Sequence, residues 1–205
     1  MNKKKGLFIS FEGPEASGKS SQILLLQKYL TKKKISFITT REPGGTKLAE
    51  SLRNLILKIK SDINIEEEIL MLMAARSHHI NNIIKPALGK GSLVISDRFA
   101  DSTFVYQGYV NNFGIQKAKS LHKNILNNFL PHKTFLFNLS TSKIIARLKK
   151  RKSKNKYDKL DRNFHDQVNR GYELISKNKR FIKIDASKSI PSINKKIINT
   201  INLLI

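Results

Sequence analysis

Residues 13–20 read Gly-Pro-Glu-Ala-Ser-Gly-Lys-Ser, which matches the phosphate-binding pattern Gly-x-x-x-x-Gly-Lys-Ser. The apolar run from Leu7 to Phe11 precedes it and indicates a buried strand, and a helical pattern begins at Lys19. In this order, a strand, a glycine-rich turn and a helix point backbone N–H groups and the positive end of the helix dipole at phosphate oxygens. The motif therefore predicts a strand–loop–helix unit that binds phosphate, the P-loop.

Four side chains near this loop suit phosphate chemistry. Lys19 is long enough to reach a phosphate, and the Ser20 hydroxyl is a suitable ligand for Mg²⁺. Asp97 directly follows an apolar strand, which places it beside the P-loop, where it can hold Mg²⁺ directly or through water. Arg98 offers a planar fork that matches phosphate oxygens. A purely structural ion pair at Asp97 and Arg98 is the alternative.

The rest of the chain alternates short apolar runs with longer helical patterns. The predicted strands are 7–11, 35–39, 92–96, 134–139 and 181–184. The predicted helices are 19–29, 46–59, 65–88 with a bend near Pro86, 114–128, 141–150, 164–177 and 190–204. This alternation predicts an α/β fold, with a five-stranded parallel sheet flanked by helices and ligands bound at the carboxyl ends of the strands.

Length and composition restrict the alternatives. A chain of 205 residues fits one domain, 1–205, and the lack of cysteine excludes disulfides and thiolate chemistry. The basic start is followed by too short an apolar run for a secretory signal, and no segment is apolar enough to cross a membrane, so we expect a cytoplasmic protein. The net charge of +24 leaves open a nucleic-acid-stimulated ATPase, although no specific nucleic-acid-binding motif is present.

Beyond the P-loop, several motifs occur in an order typical of one family. The chain resembles bacterial thymidylate kinases over nearly its whole length. The motifs that carry this resemblance, in addition to the P-loop, are Thr40 to Thr46, Ala74-Ala75-Arg76, Ile84 to Leu88, Asp97-Arg98-Phe99, Ser102-Thr103 with Tyr106-Gln107-Gly108, and Asp185-Ala186-Ser187. The resemblance implies a P-loop nucleoside monophosphate kinase fold and transfer of the γ-phosphate of ATP to dTMP, with Mg²⁺.

The same resemblance implies roles for individual residues. ATP would be held by the loop, namely Gly13, Pro14, Glu15, Ala16, Ser17, Gly18, Lys19 and Ser20, and Mg²⁺ by Ser20 and Asp97. Arg98 and Arg53 would bind the phosphate of dTMP, and Glu15 its sugar hydroxyl. Arg76, Thr103 and Gln107 would contact the base, and Tyr106 would pack on the deoxyribose. Without the resemblance, half-buried packing positions on a helix would be the favoured interpretation of Thr103 and Tyr106.

Two positions depart from the family pattern. Leu72 stands where the family typically has the phenylalanine that stacks on thymine, so an aliphatic contact would replace an aromatic one. The strictness of thymine selection is therefore open, and a P-loop kinase for another nucleotide or deoxynucleoside is the nearest alternative. Ala16 replaces a usual glycine, and a residue with a Cβ is tolerated there at negative φ.

Segment 151–163 is polar, highly charged and without apolar periodicity, which predicts a short lid. Because the P-loop contains no arginine, the resemblance implies that Arg147 and Arg151 supply the cations that stabilise the transferring phosphate. Lys19, Asp97 and Arg98 complete the predicted catalytic set. The resemblance also implies a homodimer packed through helices of the acceptor half, where Ala74 and Ala75 would permit close helix approach.

Overall fold

The computed structural model describes residues 6–58, 63–151, 157 and 160–205. Five parallel strands form one sheet in the order β2-β3-β1-β4-β5. The strands are β1 Leu7–Glu12, β2 Phe37–Arg41, β3 Leu93–Asp97, β4 Lys133–Asn138 and β5 Phe181–Asp185. The predicted parallel α/β sheet is confirmed, and its central strands are apolar because helices cover both faces.

The helices in the described residues connect successive strands, except the last one, which follows β5. They are α1 Lys19–Lys32, α2 Lys47–Lys58, α3 Ile65–His79, α4 Lys85–Gly89, α5 Ala100–Val105, α6 Ile115–Leu126, α7 Thr141–Lys149, α8 Arg162–Ile175 and α9 Ile190–Asn202. Asn64 and Glu67 form a reciprocal capping box that fixes the start of α3. In this part of the chain, no helix is both long and apolar enough to span a bilayer.

The long helix predicted over 65–88 is interrupted before its end. α3 passes into a π-helical turn over Ile80–Ile84, and α4 follows with Pro86 in its first turn. Proline has no backbone N–H and its ring crowds the carbonyl four residues earlier, so the regular hydrogen-bond ladder cannot continue through it. The wider turn accommodates this local defect.

Helical structure also occupies 100–110, which hydrophobic periodicity does not single out as a helix. α5 runs directly into a second π-helical turn, Tyr106–Val110. Much of this segment is buried, including the polar side chains of Asp101, Thr103 and Gln107. A segment whose polar and apolar residues are both buried lacks the one-sided pattern that identifies an amphipathic helix.

Strand register brings the functional ends of three strands together. Phe11 of β1 and Arg41 of β2 both pair with Asp97 of β3, so the three strands end at the same level. Two backbone hydrogen bonds continue this alignment, from Arg98 to the carbonyl of Phe11 and from Glu42 to that of Asp97, each 3.0 Å. Residues that follow these strands in sequence therefore share one edge of the sheet.

Candidate functional site

A pocket of about 510 Å³ opens at this edge. Most of the predicted site residues line it: Glu15, Ala16, Ser17, Gly18, Lys19, Ser20, Arg53, Leu72, Arg76, Asp97, Arg98, Thr103, Tyr106, Gln107 and Arg151. Their arrangement divides the pocket into a P-loop end and a wall built by α3 and α5. The roles assigned to these side chains stay predictions, and their positions are described below.

The P-loop is held in its turn by close backbone contacts. Gly13 has φ +135°, and a Cβ there would lie 2.6 Å from the backbone oxygen of Phe137, so only glycine fits. Gly18 has φ +96° and immediately precedes α1. The first turn of α1 therefore presents its N–H groups to the pocket, as a phosphate site requires.

Ala16 does not have the negative φ expected for a residue with a Cβ. Its φ is +53°, in the left-handed region that costs a non-glycine residue about 1–2 kcal/mol. The expectation is wrong because the turn of the P-loop places Ala16 in the left-handed region, between Gly13 and Gly18, which also have positive φ. The carbonyl of Ala16 is engaged by the guanidinium of Arg147, at 3.2 Å.

Lys19 is buried and bonded to the loop that it follows. Its Nζ donates to the carbonyls of Gly13 at 3.0 Å and Pro14 at 2.8 Å, and to the Ser17 hydroxyl at 3.3 Å. Burial, together with repulsion from the Arg98 guanidinium, lowers the pKa of Lys19 to about 8. The ammonium thus lies inside the P-loop, close to where phosphate oxygens would meet the loop N–H groups.

Ser20 and Asp97 meet at the predicted metal position. The Ser20 hydroxyl donates to Oδ2 of Asp97 at 2.9 Å, and both residues line the pocket. Hydroxyl and carboxylate oxygens are hard ligands that suit Mg²⁺, which keeps several waters and takes further oxygens from phosphates. Among the described residues, no group of three or more histidine, aspartate or glutamate side chains is arranged to hold a metal ion.

Arg98 lies between the P-loop and the acceptor wall. Its backbone is left-handed, with φ +69°, which turns the side chain back toward the loop. Nη1 donates to the carbonyl of Gly13 at 3.1 Å, and to the hydroxyls of Ser102 at 3.0 Å and Tyr172 at 3.2 Å. Nη2 donates to Glu15 at 2.8 Å. The guanidinium is thus oriented by four groups from three separate segments of the chain, namely the P-loop, α5 and α8.

Glu15 and Tyr106 lie together, as the predicted sugar site requires. The Tyr106 hydroxyl lies 2.8 and 2.7 Å from the two carboxylate oxygens of Glu15, and both side chains are buried. The Arg98 guanidinium is 5.1 Å from the centre of the Tyr106 ring, a cation–π distance. Glu15 is therefore fixed from two sides while its pocket face remains available to a hydroxyl donor.

Arg76 is anchored by a buried network that sequence reasoning did not anticipate. Its Nε donates to Glu42 at 2.6 Å, and its Nη2 to Thr103 at 2.8 Å. His79 bridges the other carboxylate oxygen of Glu42, at 2.9 Å, to Thr40, at 2.6 Å. Burial alone would raise the pKa of Glu42. The favourable interactions of its carboxylate with Arg76 and His79 are stronger than this effect, so the pKa is lowered. The network fixes Arg76 against the loop that follows β2.

The base-side wall also contains Leu72, Gln107 and Phe99. Leu72 is buried and lines the pocket at the position expected for the stacking residue. The ring of Phe99 is fully buried, with the Arg76 guanidinium 5.3 Å from its centre. Gln107 donates through Nε2 to Glu68 at 2.7 Å. Glu68 also lines the pocket, although its position in the first turn of α3 gave no indication of this in the sequence.

Arg53 reaches the pocket from α2. Its guanidinium donates to the carbonyl of Pro43 at 2.8 Å, and it is only partly exposed. Burial and the nearby Arg41 guanidinium lower its pKa, which indicates a position where positive charges are concentrated. This concentration suits a phosphate dianion, in line with the predicted role of Arg53.

The two predicted lid arginines have different surroundings. Arg151 is exposed and lines the pocket. Arg147 lies outside it, with its guanidinium bonded to the carbonyls of Ala16 at 3.2 Å and Ala186 at 2.9 Å. Arg147 thus ties the P-loop to the segment after β5. Of the predicted lid, residues 152–156 and 158–159 lie outside the described residues.

A buried carboxylate beneath the pocket was not predicted as part of the site. Glu12, at the end of β1, accepts hydrogen bonds from the backbone of Phe99 at 2.7 Å, from Ser102 Oγ at 2.6 Å and from the Tyr172 hydroxyl at 2.8 Å. Burial, and then the charge of Asp101, raises the pKa of Glu12 to about 7. In the sequence, the position of Glu12 directly before the P-loop could have pointed to a place in the site. Tyr172 lies on a helix far away in sequence, and no pattern linked it to the site.

Comparison with known proteins shows which proteins this chain is similar to. The family model described as thymidylate kinase matches residues 11–197. The thymidylate kinase of Mycoplasma capricolum is 40% identical over 200 residues, covering 95% of this chain and 94% of its own. That of Halothermothrix orenii is 37% identical over 196 residues, covering 94% and 95%. The crystal structure of thymidylate kinase from Ehrlichia chaffeensis superposes with a TM-score of 0.75 at 30% identity, over 96% of this chain and 99% of that one.

Proposed function

Because this chain belongs to the thymidylate kinase family, we propose that its pocket binds dTMP against the α3–α5 wall and ATP on the P-loop. The chain is a nucleoside monophosphate kinase that transfers the γ-phosphate of ATP to dTMP, giving dTDP for dTTP synthesis. One observation supports the placement of both substrates. Arg98, the proposed ligand of the acceptor phosphate, is bonded to the P-loop carbonyl of Gly13, so donor and acceptor phosphates would meet beside it.

The proposed mechanism depends on positioning and electrostatics, because phosphoryl transfer requires little covalent chemistry from the protein. Arg98 and Arg53 hold the 5′-phosphate of dTMP in line with the nucleotide, and Glu15 with Tyr106 fixes the deoxyribose. Lys19 and Arg151 both line the pocket, and their positive charges would stabilise the negative charge that develops on the transferring group. Ser20 and Asp97 would hold Mg²⁺ together with the nucleotide, and the ion would supply positive charge to the phosphates.

We also propose that the chain works as one domain whose segment 151–163 acts as a lid. Two contacts support this. Arg151 lines the pocket, and the hydroxyl of Tyr157 lies 3.4 Å from Glu68 on the opposite wall. A lid over the pocket would exclude water and so limit hydrolysis of ATP.

A homodimer is the proposed assembly, with α2, α3 and α6 at the interface. Exposed apolar side chains on these helices support it, namely Leu48, Leu55, Leu70 and Ile125. Ala74 is exposed one turn after Leu70, as close helix approach requires, whereas Ala75 is buried in the core of its own chain. Sedimentation velocity of Leu70→Glu, which places a charge on this face, should show a monomer.

We place the enzyme in the cytoplasm, where ATP and dTMP are used.

A coupled assay with ATP and Mg²⁺ tests the substrate assignment. We expect dTMP to be phosphorylated with a kcat/KM well above those of dUMP, UMP, CMP and AMP. The absence of a preference for dTMP would contradict the proposal.

Lys19→Ala should abolish turnover while circular dichroism shows an intact fold. Unchanged activity in that variant would contradict the placement of ATP on the P-loop.

A further inference from the structure

Glu68 and Gln107 form a buried pair on the base-side wall of the pocket. Gln107 Nε2 lies 2.7 Å from Glu68 Oε1, and both residues line the pocket. The Tyr157 hydroxyl approaches the same oxygen of Glu68 at 3.4 Å. Arg76, whose guanidinium is fixed by Glu42, lies on the same wall. Neither Glu68 nor its partner is needed to hold a phosphate, so their place in the pocket requires another explanation.

The carboxylate determines how the amide of Gln107 is oriented. An ionised carboxylate only accepts hydrogen bonds, so the amide atom facing Glu68 must be the NH₂ group. The carbonyl oxygen of Gln107 is then turned away from Glu68. Within the described part of the chain, this oxygen accepts no hydrogen bond. The side-chain atoms there that are both buried and unpaired belong to His122 and His165, so the Gln107 oxygen is not among them. It is therefore accessible from the pocket. It can therefore accept a hydrogen bond from a ligand.

We propose that Glu68 is a positioning residue that makes the pocket select pyrimidines with a hydrogen on N3. Thymine and uracil present an N3–H donor beside a carbonyl acceptor, which matches the carbonyl of Gln107 beside the donors of Arg76. Cytosine presents a lone pair at N3, which would face the Gln107 carbonyl. Rotating the amide to relieve this would turn its carbonyl against Glu68. This inference rests on the proposed function, because it requires the base to lie against this wall.

The variant Glu68→Gln tests the inference with almost no change of shape. A glutamine at this position can either donate or accept, so the Gln107 amide would be free to rotate toward cytosine. We expect the ratio of kcat/KM for dTMP to that for dCMP to fall roughly ten- to hundredfold, the range for an unsatisfied buried hydrogen-bonding group. Glu66→Gln, an exposed glutamate on the same helix, is the matched control. An unchanged ratio in Glu68→Gln would overturn the inference.

Two further variants separate positioning from a direct or purely structural role. Glu68→Asp retains an acceptor-only group and should retain most of the preference for dTMP. If Glu68 acts through Gln107, then Glu68→Gln should leave the ratio unchanged in a Gln107→Leu background. Equal loss of selectivity in Glu68→Asp and Glu68→Gln, or a full additional loss in the Gln107→Leu background, would overturn the inference.

A measurement on the unaltered protein does not depend on the folding of any variant. By calorimetry, dCMP and N3-methyl-dTMP should each bind at least about tenfold more weakly than dTMP, because neither offers the N3–H donor. Binding of either as tightly as dTMP would overturn the inference. Failure of the proposed function is distinguishable, because the unaltered protein would then not phosphorylate dTMP at all.

Discussion

The guanidinium of Arg98 lies 2.8 Å from the carboxylate of Glu15, so the side chains that we assign to the phosphate and to the sugar hydroxyl of dTMP are paired with each other. The pair involves Nη2 of Arg98, whereas Nη1 is held by Gly13, Ser102 and Tyr172. An incoming phosphate would therefore compete with Glu15 for one edge of the guanidinium while the other edge keeps its orientation.

Arg98→Ala should impair use of dTMP far more than binding of ATP. Loss of a charge-assisted, preoriented donor at the reacting phosphate is expected to lower kcat/KM for dTMP on the order of 10²–10³-fold. Steady-state kinetics with varied dTMP, together with ATP titrations, measure the two effects. Arg170→Ala, which removes an exposed arginine of α8 outside the lid, is the control. An unchanged KM for dTMP would contradict the assigned role.

ATP binding should be accompanied by proton uptake at mildly alkaline pH. The pKa of Lys19 is lowered to about 8 by burial and by Arg98, so at pH 8.5 the amine is largely neutral. Phosphate oxygens stabilise the ammonium form and raise that pKa, so a proton is taken up. Calorimetry at pH 8.5 in buffers of different ionisation enthalpy should reveal it, and Lys19→Ala should lose it. Equal binding heats in all buffers would count against the prediction.

Glu12 should make the unaltered protein less stable as pH rises from about 4.5 to 7. Its folded pKa is raised to about 7 by burial and by Asp101, so the folded state holds a proton that the unfolded chain releases near its ordinary value of 4.5. This contribution is fully present below pH 4.5 and is lost as pH rises through 7, with a magnitude on the order of 3 kcal/mol.

Glu12→Gln, which cannot titrate, should remove that part of the pH dependence. Urea unfolding at pH 5.0 and 7.5 measures the difference in the free energy of unfolding for both proteins. The decline toward pH 7.5 should be smaller in the variant, and Glu66→Gln, at an exposed position, should behave like the unaltered protein. Parallel pH profiles in all three proteins would disprove the prediction.

Leu72→Phe should tighten dTMP binding. The side chain of Leu72 lines the pocket on the base side, and an aromatic ring there would add a stacking contact of about 0.5–1.5 kcal/mol, or roughly two- to tenfold in Kd. Leu174→Phe, at an exposed leucine of α8 outside the pocket, is the control. Calorimetry with dTMP compares the two variants, and equal or weaker binding by Leu72→Phe would show that the wall has no room for a ring.

Much of the fold could be predicted from sequence because its signals are local. Each predicted strand matches an observed one, and the P-loop occurs where its glycine spacing requires it. Local patterns were insufficient for α5, whose polar residues are buried like its apolar ones, and for Ala16, whose backbone conformation is imposed by the loop around it. The resemblance implied a catalytic role for Arg147, whereas its partners in the structure are the carbonyls of Ala16 and Ala186.

The sequence by itself therefore determined which strands and turns form and which residues stand at the strand ends, since both depend on neighbours a few residues away. Only the tertiary structure decided which side chains pair there. Arg76 meets Glu42 across 34 residues, Gln107 meets Glu68 across 39, and Arg98 meets Glu15 across 83. Such contacts depend on strand order and on the crossover helices, which place distant segments at one edge of the sheet and leave no trace in the local pattern of residues.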